Sequence, residues 1–179
     1  IDWVCIDSEH GNPNSRYKVS DLIKSIEIGG AIPFIRSASM DATEITSYLD
    51  CGVKGIVIPN VNDANNLSKL FSKINFPPIG NRGVGYFRAN KYGLEFEKYL
   101  ELSKSIIKIV MIENVKALEN LNEILKINEI DAIFIGPYDL SASLGIPGEF
   151  KNKIFINALK EIKRKCKNYQ KSIGMHLIK

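Results

Sequence analysis

The sequence predicts an α/β fold in which short buried strands alternate with amphipathic helices. Six apolar runs rich in valine, isoleucine and phenylalanine recur along the 179 residues, and such runs are typical of strands that are buried on both faces. Most of these runs are separated by segments with apolar residues three and four positions apart, which is the spacing of an amphipathic helix. Because strand–helix–strand connections are right-handed and join parallel strands, the alternation favours one parallel sheet.

The positions of the elements follow from these two patterns. The predicted strands cover Trp3–Ile6, Ala31–Ile35, Gly55–Ile58, Ile106–Ile112, Ala132–Ile135 and Ser172–Leu177. The predicted helices cover residues 20–28, 41–49, 63–74, 115–127 and 152–168, and Gly136–Ser141 opens a turn into a further helix. Residues 75–105 interrupt the alternation, because two prolines and three glycines between positions 76 and 85 favour a long loop.

Composition and charge narrow the class of protein. Hydrophobic residues make up 45% and charged residues 25% of the chain, which is typical of a folded globular protein. The net charge is +4, but the lysines are spread along the chain without a dense block, so we expect no nucleic-acid partner. Since no apolar run approaches the ~20 residues of a membrane helix, we also expect no membrane association. Three scattered cysteines favour neither a disulfide framework nor a zinc site and predict a reduced, cytoplasmic protein.

The two ends of the chain both resemble core strands. The sequence opens with the strand-like run 1–7 and closes with the strand-like run 174–179. We therefore expect one α/β domain over residues 1–179 that is truncated at both ends.

Polar residues that can carry chemistry follow the apolar runs. In parallel α/β folds, sites form where the strands end and the loops after them begin. Three of the runs are followed by carboxylates, and one of these carries a histidine as well; a further run ends in an arginine. These residues are Asp7, Glu9, His10, Arg36, Glu113 and Asp139.

Glu113 and Asp139 suggest a metal site. They are one strand–helix–strand unit apart, so adjacent parallel strands would bring their carboxylates together. Two carboxylates with water and substrate oxygens suit a hard divalent cation such as Mg²⁺ or Mn²⁺. The alternative is that each carboxylate caps the helix that follows it.

His10 and Arg36 suggest acid–base and electrostatic roles. A histidine on a loop can serve as a general base near neutral pH, although a solvated turn residue is the alternative. Arg36 ends an otherwise apolar run, where a guanidinium can bind a carboxylate or a developing enolate. A purely structural ion pair is the alternative there. Lys108, in the fourth run, could suggest a Schiff-base mechanism, but its neighbours do not fit one.

Several motifs resemble those of one enzyme family. The segment Ile6–Gly11, IDSEHG, is similar to the signature IDxEHG of the HpcH/HpaI aldolases, which are metal-dependent 2-oxo-acid aldolases such as 4-hydroxy-2-oxo-heptanedioate aldolase and 2-dehydro-3-deoxyglucarate aldolase. The residues Pro77–Ala89 resemble the family's loop YPPxGxRGvG…RA. Met111–Glu113 and Phe134–Ser141 resemble its motifs (Q/M)IE and FIGPxDLS, and Arg36 matches the arginine of PxVR. The motifs occur in the family's order along the whole chain.

The resemblance implies a fold and a set of catalytic roles. The family fold is a (β/α)8 barrel of the TIM type, and this chain would be a partial barrel covering about strands two to seven. Glu113 and Asp139 correspond to the metal ligands. His10 corresponds to the proton acceptor and Arg36 to the group that stabilises the enolate. Asp50 aligns with a carboxylate that raises the basicity of that histidine, although a residue just before a strand should lie at the opposite edge of the sheet.

The resemblance also implies substrate contacts. The backbone N–H groups of Tyr138 and Asp139 correspond to those that bind the carboxylate of the 2-oxo acid. Met111 stands where many relatives carry a glutamine that contacts substrate, and a thioether cannot make that hydrogen bond, so substrate preference is open.

The function implied is cleavage of a 4-hydroxy-2-oxo acid to pyruvate and an aldehyde. The expected cofactor is Mg²⁺ or Mn²⁺, the reaction is expected to pass through a metal-bound enolate, and the full-length protein is expected to be a homo-oligomer. One alternative is an enzyme similar to citrate lyase or malyl-CoA lyase, which would need a CoA-binding region that the sequence does not reveal. The other is a catalytically silent fragment.

Overall fold

Six β-strands follow one another in a sheet in the order in which they occur along the chain. The computed structural model describes residues 1–11, 13 and 15–176. The strands are β1 (Trp3–Asp7), β2 (Ile32–Arg36), β3 (Gly55–Ile58), β4 (Ile107–Ile112), β5 (Ala132–Ile135) and β6 (Ser172–Met175). The predicted α/β class and its six strands are confirmed, while Leu177, the predicted end of the last strand, lies outside the described residues.

Helices separate the strands as predicted. They are α1 (Arg16–Ile28), α2 (Ala42–Cys51), α3 (Ala64–Ile74), α4 (Phe96–Ser103), α5 (Val115–Glu119), α6 (Leu121–Leu125), α7 (Pro137–Ser143) and α8 (Lys153–Asn168). An irregular 3-10 segment, Arg88–Gly93, precedes α4. In the part of the chain that the structure describes, no helix is both long and apolar enough to cross a membrane.

Two predicted segments differ from the structure. The region 75–105 was expected to lack regular structure, but it contains α4, because the ring of Tyr99 is buried and packs edge-on against Phe76 at 5.7 Å between ring centroids. The single helix expected over 115–127 is divided at Asn120, where the backbone leaves the helical region with φ −88° and ψ 6°. Both differences arise from tertiary packing and local backbone geometry that apolar spacing does not encode.

The described residues form two compact units, and the single-domain organisation stays a prediction. The first unit comprises Ile1–Val57 and Lys69–Ile107. In it β1 pairs with β2, and β2 with β3, in parallel register. Asp7 lies opposite Arg36, which lies opposite Val57. This register places the last residues of β1 and β2 side by side at the carboxyl edge of the sheet.

The core of the first unit depends on a close approach between β2 and β3. Phe34 is 4% exposed, and its ring stacks on Trp3 with 5.0 Å between centroids. The same ring lies against the backbone of Gly55, where a Cβ atom would approach three ring carbons at 2.5–2.6 Å. A glycine is therefore required at the start of β3.

The second unit comprises Ile58–Ser68 and the chain from Lys108 onward. In it β4, β5 and β6 are parallel, and Ile112 lies opposite Ile135, which lies opposite Met175. The next residue after Ile112 is Glu113, and the next after Ile135 is Gly136. The register therefore brings Glu113 and the start of α7 to one edge of the sheet.

A lysine closes the turn between α6 and β5 in the second unit. Backbone carbonyl groups in a turn outside helices and strands need partners from elsewhere. The Nζ atom of Lys171, just before β6, donates to the carbonyl oxygens of Ile127, Asn128 and Ile130 at 3.2, 3.3 and 2.7 Å. One side chain therefore satisfies three carbonyl groups of the turn 127–130.

We expect Gly55→Ala to lower the free energy of unfolding by ~1–3 kcal/mol, since overpacking a well-filled core displaces its side chains. Gly83→Ala is the matched control, because a Cβ at Gly83 meets nothing within 4 Å, and we expect a change within ~0.5 kcal/mol. Urea unfolding of both variants provides the measurement. Equal stability of the two variants would contradict the close contact between Gly55 and Phe34.

Candidate active site

An arginine held by two carboxylates joins the ends of β1 and β2. Arg36 donates from Nε to Oδ1 of Asp7 at 3.0 Å and from Nη2 to Oδ2 at 2.5 Å, which is a bidentate pair. Its Nη1 atom lies 3.0 Å from Oε2 of Glu9. The side chain of Arg36 is 23% exposed, so one edge of the guanidinium still reaches solvent. The structural ion pair that the sequence left open is therefore present, and it holds Arg36 in one orientation.

The same aspartate organises the turn that carries His10. Oδ1 of Asp7 accepts the backbone N–H groups of Glu9 at 3.0 Å and of His10 at 3.2 Å, so the carboxylate fixes a turn after β1. The imidazole of His10 is 72% exposed, and its Nε2 atom lies 3.9 Å from Oε2 of Glu9. The structure thus brings His10 to the cluster that holds Arg36 and leaves its ring accessible.

Electrostatics keep this cluster charged. Burial opposes the ionisation of Asp7, but hydrogen bonds from Arg36 and from the backbone of His10 outweigh it and lower the pKa of Asp7 below its usual range. Burial likewise disfavours the guanidinium, yet Asp7 and Glu9 raise the pKa of Arg36 above its ordinary value. Arg36 is therefore a cation at neutral pH, and its two carboxylate partners hold it in place.

Asp50 lies away from His10. It occupies the last turn of α2, before β3, and is therefore at the amino edge of the strands, whereas His10 follows the carboxyl end of β1. Its Oδ1 atom accepts hydrogen bonds from Nη2 of Arg82 at 2.6 Å and from the hydroxyl of Tyr99 at 3.2 Å. Burial raises the pKa of Tyr99 to about 12; Arg82 opposes this shift in part, and the Asp50 carboxylate adds to it. Within this chain the structure does not bring Asp50 to the imidazole that it was expected to activate.

Arg82 is itself deeply buried beside Asp50. Its side chain is 2% exposed, and its guanidinium lies 4.4 Å from the centroid of the Phe76 ring. The Nε atom of Arg82 has no hydrogen-bond partner among the described residues. A charge this buried requires the Asp50 carboxylate for neutralisation, which gives Asp50 a structural role in the first unit.

In the second unit, Glu113 is a buried carboxylate held in a narrow space. It is 5% exposed, and its Oε1 atom accepts the backbone N–H of Asn60 at 2.5 Å. Oε2 faces the backbone of Gly136, where a Cβ atom would lie 2.9 Å away. The following helix is capped by Asn114, whose side chain accepts from the N–H of Ala117, so Glu113 is not the helix cap that the sequence allowed as an alternative.

Asp139 and Tyr138 lie in the first turn of α7. Pro137 begins this helix, Gly136 caps it, and Leu140 donates the first hydrogen bond to the carbonyl of Gly136. The N–H groups of Tyr138 and Asp139 therefore precede the first N–H group that donates within the helix, and both residues are exposed. Asp139 is therefore not the cap of this helix. The two N–H groups lie before the first helical donor, as the predicted contact with a substrate carboxylate requires.

Met111 borders the same space as Glu113. It is 4% exposed, and its Cε atom would lie 3.3 Å from a Cβ at Gly136. The thioether therefore forms an apolar wall beside the buried carboxylate. A thioether cannot make the hydrogen bond that the family resemblance associates with a glutamine at this position. Its contact with substrate stays a prediction.

Lys108 lies at the other end of β4 from Glu113. It is 7% exposed, and burial lowers its pKa, against an opposing effect of Asp131. Its backbone N–H donates to Oδ2 of Asp131 at 2.7 Å. Its place near the start of β4, at the amino edge, separates it from the strand ends at which Glu113 lies, and this supports the interpretation that the chemistry needs no Schiff-base lysine.

The residues that could hold a divalent cation are Glu113 and Asp139. Among residues 1–11, 13 and 15–176, no group of three or more histidine, cysteine, aspartate or glutamate side chains is arranged to hold a metal ion. Two carboxylates are nevertheless hard oxygen donors of the kind that Mg²⁺ and Mn²⁺ prefer. The space that Gly136 leaves beside Oε2 of Glu113 would be filled by any larger residue. The donor chemistry fits a cation that keeps open positions for water and substrate.

Two residues of this region were not predicted to act on Glu113. Asn60 adopts the left-handed conformation with φ 56°, which asparagine tolerates better than most residues, and so turns its N–H toward Glu113. Gly136 provides the space for the Glu113 carboxylate. For Asn60 the available signal was an asparagine two residues after the third apolar run, and for Gly136 it was the glycine of the motif FIGPYDLS.

We expect Asp7→Asn to lower the free energy of unfolding at neutral pH, because an amide cannot pair ionically with Arg36. The folded protein holds the pKa of Asp7 below its usual range, so wild-type protein keeps this stabilisation above pH ~4 and loses it as the pH falls through the folded-state pKa. The stability difference between the two proteins should therefore shrink on acidification. Denaturant unfolding at about pH 7 and about pH 3 tests the prediction.

Asp2→Asn is the control for this experiment, since its exposed side chain makes no ion pair or hydrogen bond with any described residue. We expect no comparable loss of stability in that variant. A stability difference for Asp7→Asn that stays constant from neutral to acid pH would show that the carboxylate charge is not what stabilises the cluster.

Comparisons with known proteins identify relatives of the chain in sequence and in fold. The 2-keto-3-deoxy-L-rhamnonate aldolase of Klebsiella pneumoniae is 37% identical over 151 residues, which cover 83% of this chain and 56% of that protein. The chain thus spans a little over half the length of this curated relative. A crystal structure of an HpcH/HpaI aldolase from Desulfitobacterium hafniense superposes with a TM-score of 0.88 at 24% identity, covering 100% of this chain and 70% of that one.

The fold also occurs in a protein that is named for a different activity. The crystal structure of the citrate synthase SbnG superposes with a TM-score of 0.87 at 26% identity, over 99% of this chain and 69% of that one. The predicted partial α/β barrel is therefore confirmed as the fold class. The family model of the HpcH/HpaI aldolases and citrate lyases matches residues 1–175, and the chain belongs to this HpcH/HpaI aldolase/citrate lyase family.

Proposed function

We propose that the full-length protein is a divalent-metal-dependent aldolase that cleaves a 4-hydroxy-2-oxo acid to pyruvate and an aldehyde. The observation that carries the proposal is the rigidly held Arg36 guanidinium beside the accessible imidazole of His10. Aldol cleavage needs a base for a hydroxyl proton and a fixed cation for the enolate charge. Membership of the family supports the same reaction class.

The substrate class follows from the chemistry that the relatives' name describes. A 2-keto-3-deoxy sugar acid has a 2-oxo group, a CH₂ at C3 and a hydroxyl on C4, which is the arrangement that aldol cleavage requires. The relative that is 37% identical is named for such an acid. We infer that this chain acts on a 2-keto-3-deoxy acid, with the aldehyde portion undefined.

In the proposed reaction, His10 acts on the C4 hydroxyl of the substrate and Arg36 acts on its C2 oxygen. The imidazole of His10 accepts the proton of the C4 hydroxyl, the C3–C4 bond breaks, and the aldehyde forms. The electron pair moves into the C2–C3 bond, so that negative charge develops on the C2 oxygen, where Arg36 can donate hydrogen bonds. Proton return to C3 then completes pyruvate.

Glu113 and Asp139 are the residues that would hold the cation. When bound, a divalent cation would polarise the 2-oxo group of the substrate as a Lewis acid. The N–H groups of Tyr138 and Asp139 would orient the substrate carboxylate, and the thioether of Met111 would exclude water from the side of Glu113. These assignments rest on the family motifs and on the positions of the side chains within the second unit.

The experiment that tests the proposal measures pyruvate released by full-length protein from a panel of 4-hydroxy-2-oxo acids, with Mg²⁺, with Mn²⁺ and with a chelator. We expect metal-dependent release that is fastest with 2-keto-3-deoxy acids. Citrate and malyl-CoA belong in the panel, because preferential cleavage of either would favour the enzymes similar to citrate lyase or malyl-CoA lyase. Absence of turnover on every substrate would favour a catalytically silent protein.

We expect Glu113→Gln and Asp139→Asn each to weaken Mn²⁺ binding by at least ~10-fold, which corresponds to ~1.4 kcal/mol, because each removes one anionic ligand. Gly136→Ala should also weaken binding, since its Cβ would press on Oε2 of Glu113. Isothermal titration of the full-length protein with Mn²⁺ gives the affinities.

Glu119→Gln is the matched control for metal binding, because Glu119 is exposed in the same unit and outside the proposed ligand set. We expect its affinity for Mn²⁺ to equal that of wild-type protein. If Glu113→Gln bound Mn²⁺ as tightly as this control, the ligand assignment would be wrong.

We expect Arg36→Lys to reduce kcat by at least ~10-fold with a smaller change in KM, because lysine keeps the charge but loses the planar fork that meets the enolate. Exchange of the methyl protons of pyruvate should slow in parallel, since it passes through the same enolate. Steady-state kinetics and proton NMR of pyruvate in D₂O measure the two effects. A raised KM with unchanged kcat and unchanged exchange would limit Arg36 to substrate binding.

A further inference from the structure

A buried hydrogen bond links the His10 segment to helix α2. Ser8 lies between Asp7 and Glu9, the two residues that hold Arg36. Its Oγ atom is 2.5 Å from the hydroxyl of Tyr48 in α2, and the two residues are 6% and 8% exposed. The backbone N–H of Ser8 also donates to the carbonyl of Arg36 at 2.9 Å. Ser8 is therefore held by hydrogen bonds of both its backbone and its side chain.

The direction of the hydrogen bonds follows from the number of protons available. The hydroxyl of Tyr48 donates to Oε1 of Glu44 at 2.7 Å. A phenol has one proton, and an ionised carboxylate can only accept. The Ser8 hydroxyl must then be the donor to the Tyr48 oxygen. The three side chains form a directed chain, Ser8 to Tyr48 to Glu44.

Glu44 extends this chain to the segment that follows β2. Its Oε1 atom accepts the backbone N–H of Ala38 at 3.2 Å, and its Oε2 atom accepts the hydroxyl of Ser39 at 3.2 Å. These residues come directly after Arg36 and Ser37 in the chain. Helix α2 is therefore hydrogen-bonded to the segment after β1 through Tyr48 and to the segment after β2 through Glu44.

We propose that Tyr48 is a positioning residue for His10 and Arg36, acting through the hydroxyl that joins Ser8 to Glu44. The hydroxyl holds the two segments after β1 and β2 at a fixed separation. The first segment carries His10, the proposed base, and the second directly follows Arg36, the proposed enolate-stabilising cation. The inference rests on the proposed function for its kinetic consequence, but the effect on the position of His10 is independent of it.

The hydroxyl of Tyr48 is suited to a permanent structural link. Burial raises the pKa of Tyr48 to about 12; the hydrogen bond from Ser8 opposes this shift in part, and the Glu44 carboxylate adds to it. The phenol therefore stays protonated, and its hydrogen bonds persist throughout the pH range of ordinary assays. Tyr48 does not touch the reacting atoms in the proposed reaction, so its contribution is one of position.

The test compares Tyr48→Phe, Ser8→Ala and the double variant with Tyr17→Phe in the full-length protein. Tyr17→Phe is the matched control, because Tyr17 is 69% exposed in the same unit and its hydroxyl makes no hydrogen bond with any described residue. We expect Tyr48→Phe to lower kcat by ~10-fold while KM changes less than about threefold, since small misplacements of catalytic groups reduce rates steeply. The double variant should lose no more than either single variant, because all three break the same link.

A second measurement does not depend on catalysis. The ring signals of His10, identified by their disappearance in His10→Asn, should shift or broaden in the ¹H–¹³C spectrum of Tyr48→Phe and of Ser8→Ala. Those of His176, which lies beside Phe134 in the other unit, should stay in place and serve as an internal reference. If Tyr48→Phe fails to fold, Ser8→Ala supplies the same comparison with a smaller change.

The outcomes separate the two proposals. Shifted His10 signals with a reduced kcat support the positioning role, and shifted signals without any aldolase activity in wild-type protein support it while overturning the proposed function. Unchanged His10 signals overturn it, whatever the kinetics show. It is also overturned if Tyr17→Phe reproduces the changes of Tyr48→Phe, or if the losses of kcat in the two single variants multiply in the double variant.

Discussion

The carboxyl edge of β1 and β2 in the first unit depends on the ion pair of Arg36 with Asp7 and Glu9. It is made possible by the parallel register that places Asp7 opposite Arg36. All three guanidinium nitrogens of Arg36 contact a carboxylate oxygen of Asp7 or Glu9. The arginine therefore cannot rotate without breaking several charged contacts. The side chain of Asp7 in turn holds the backbone of Glu9 and His10. One cation therefore determines the conformation of the segment that carries the histidine.

This arrangement has an electrostatic consequence for the proposed chemistry. One guanidinium faces two carboxylates, so the cluster as a whole carries one negative charge when all three groups are ionised. Arg36 can direct hydrogen bonds to a developing oxyanion, but its neighbours already balance its charge. In the proposed reaction, the anionic charge of a 2-oxo acid and its enolate therefore needs a further cationic group besides Arg36, and a divalent cation could supply it.

The sequence was a good guide to elements whose apolar spacing is regular. The strands Gly55–Ile58 and Ala132–Ile135 have the predicted bounds, because buried parallel strands are short runs with clear ends. Helix α4 was missed, since the prolines and glycines before it dominated the prediction and its packing depends on Phe76, far from it in sequence. The break at Asn120 carried no signal in the apolar pattern.

The candidate site was predictable only in part, for a similar reason. The rule that polar residues after parallel strands share one edge located His10, Arg36 and Glu113 at strand ends. It could not reveal partners that depend on side-chain direction, such as the N–H of Asn60 on Glu113 or the hydroxyl of Tyr48 on Ser8. Asp50 shows the limit of a motif alignment, because the contacts of its carboxylate with Arg82 and Tyr99 emerge only from the folded chain.

The lysine that closes the turn after α6 has a consequence for biosynthesis. Lys171 is 41 to 44 residues from the carbonyl groups that it binds in the turn 127–130. A chain synthesised only as far as α8 lacks all three hydrogen bonds from the Nζ atom, although the carbonyl of Ile127 already accepts the backbone N–H of Ile130 within the turn. Synthesis of Lys171 supplies these bonds immediately before β6, the strand that pairs with β5, is made.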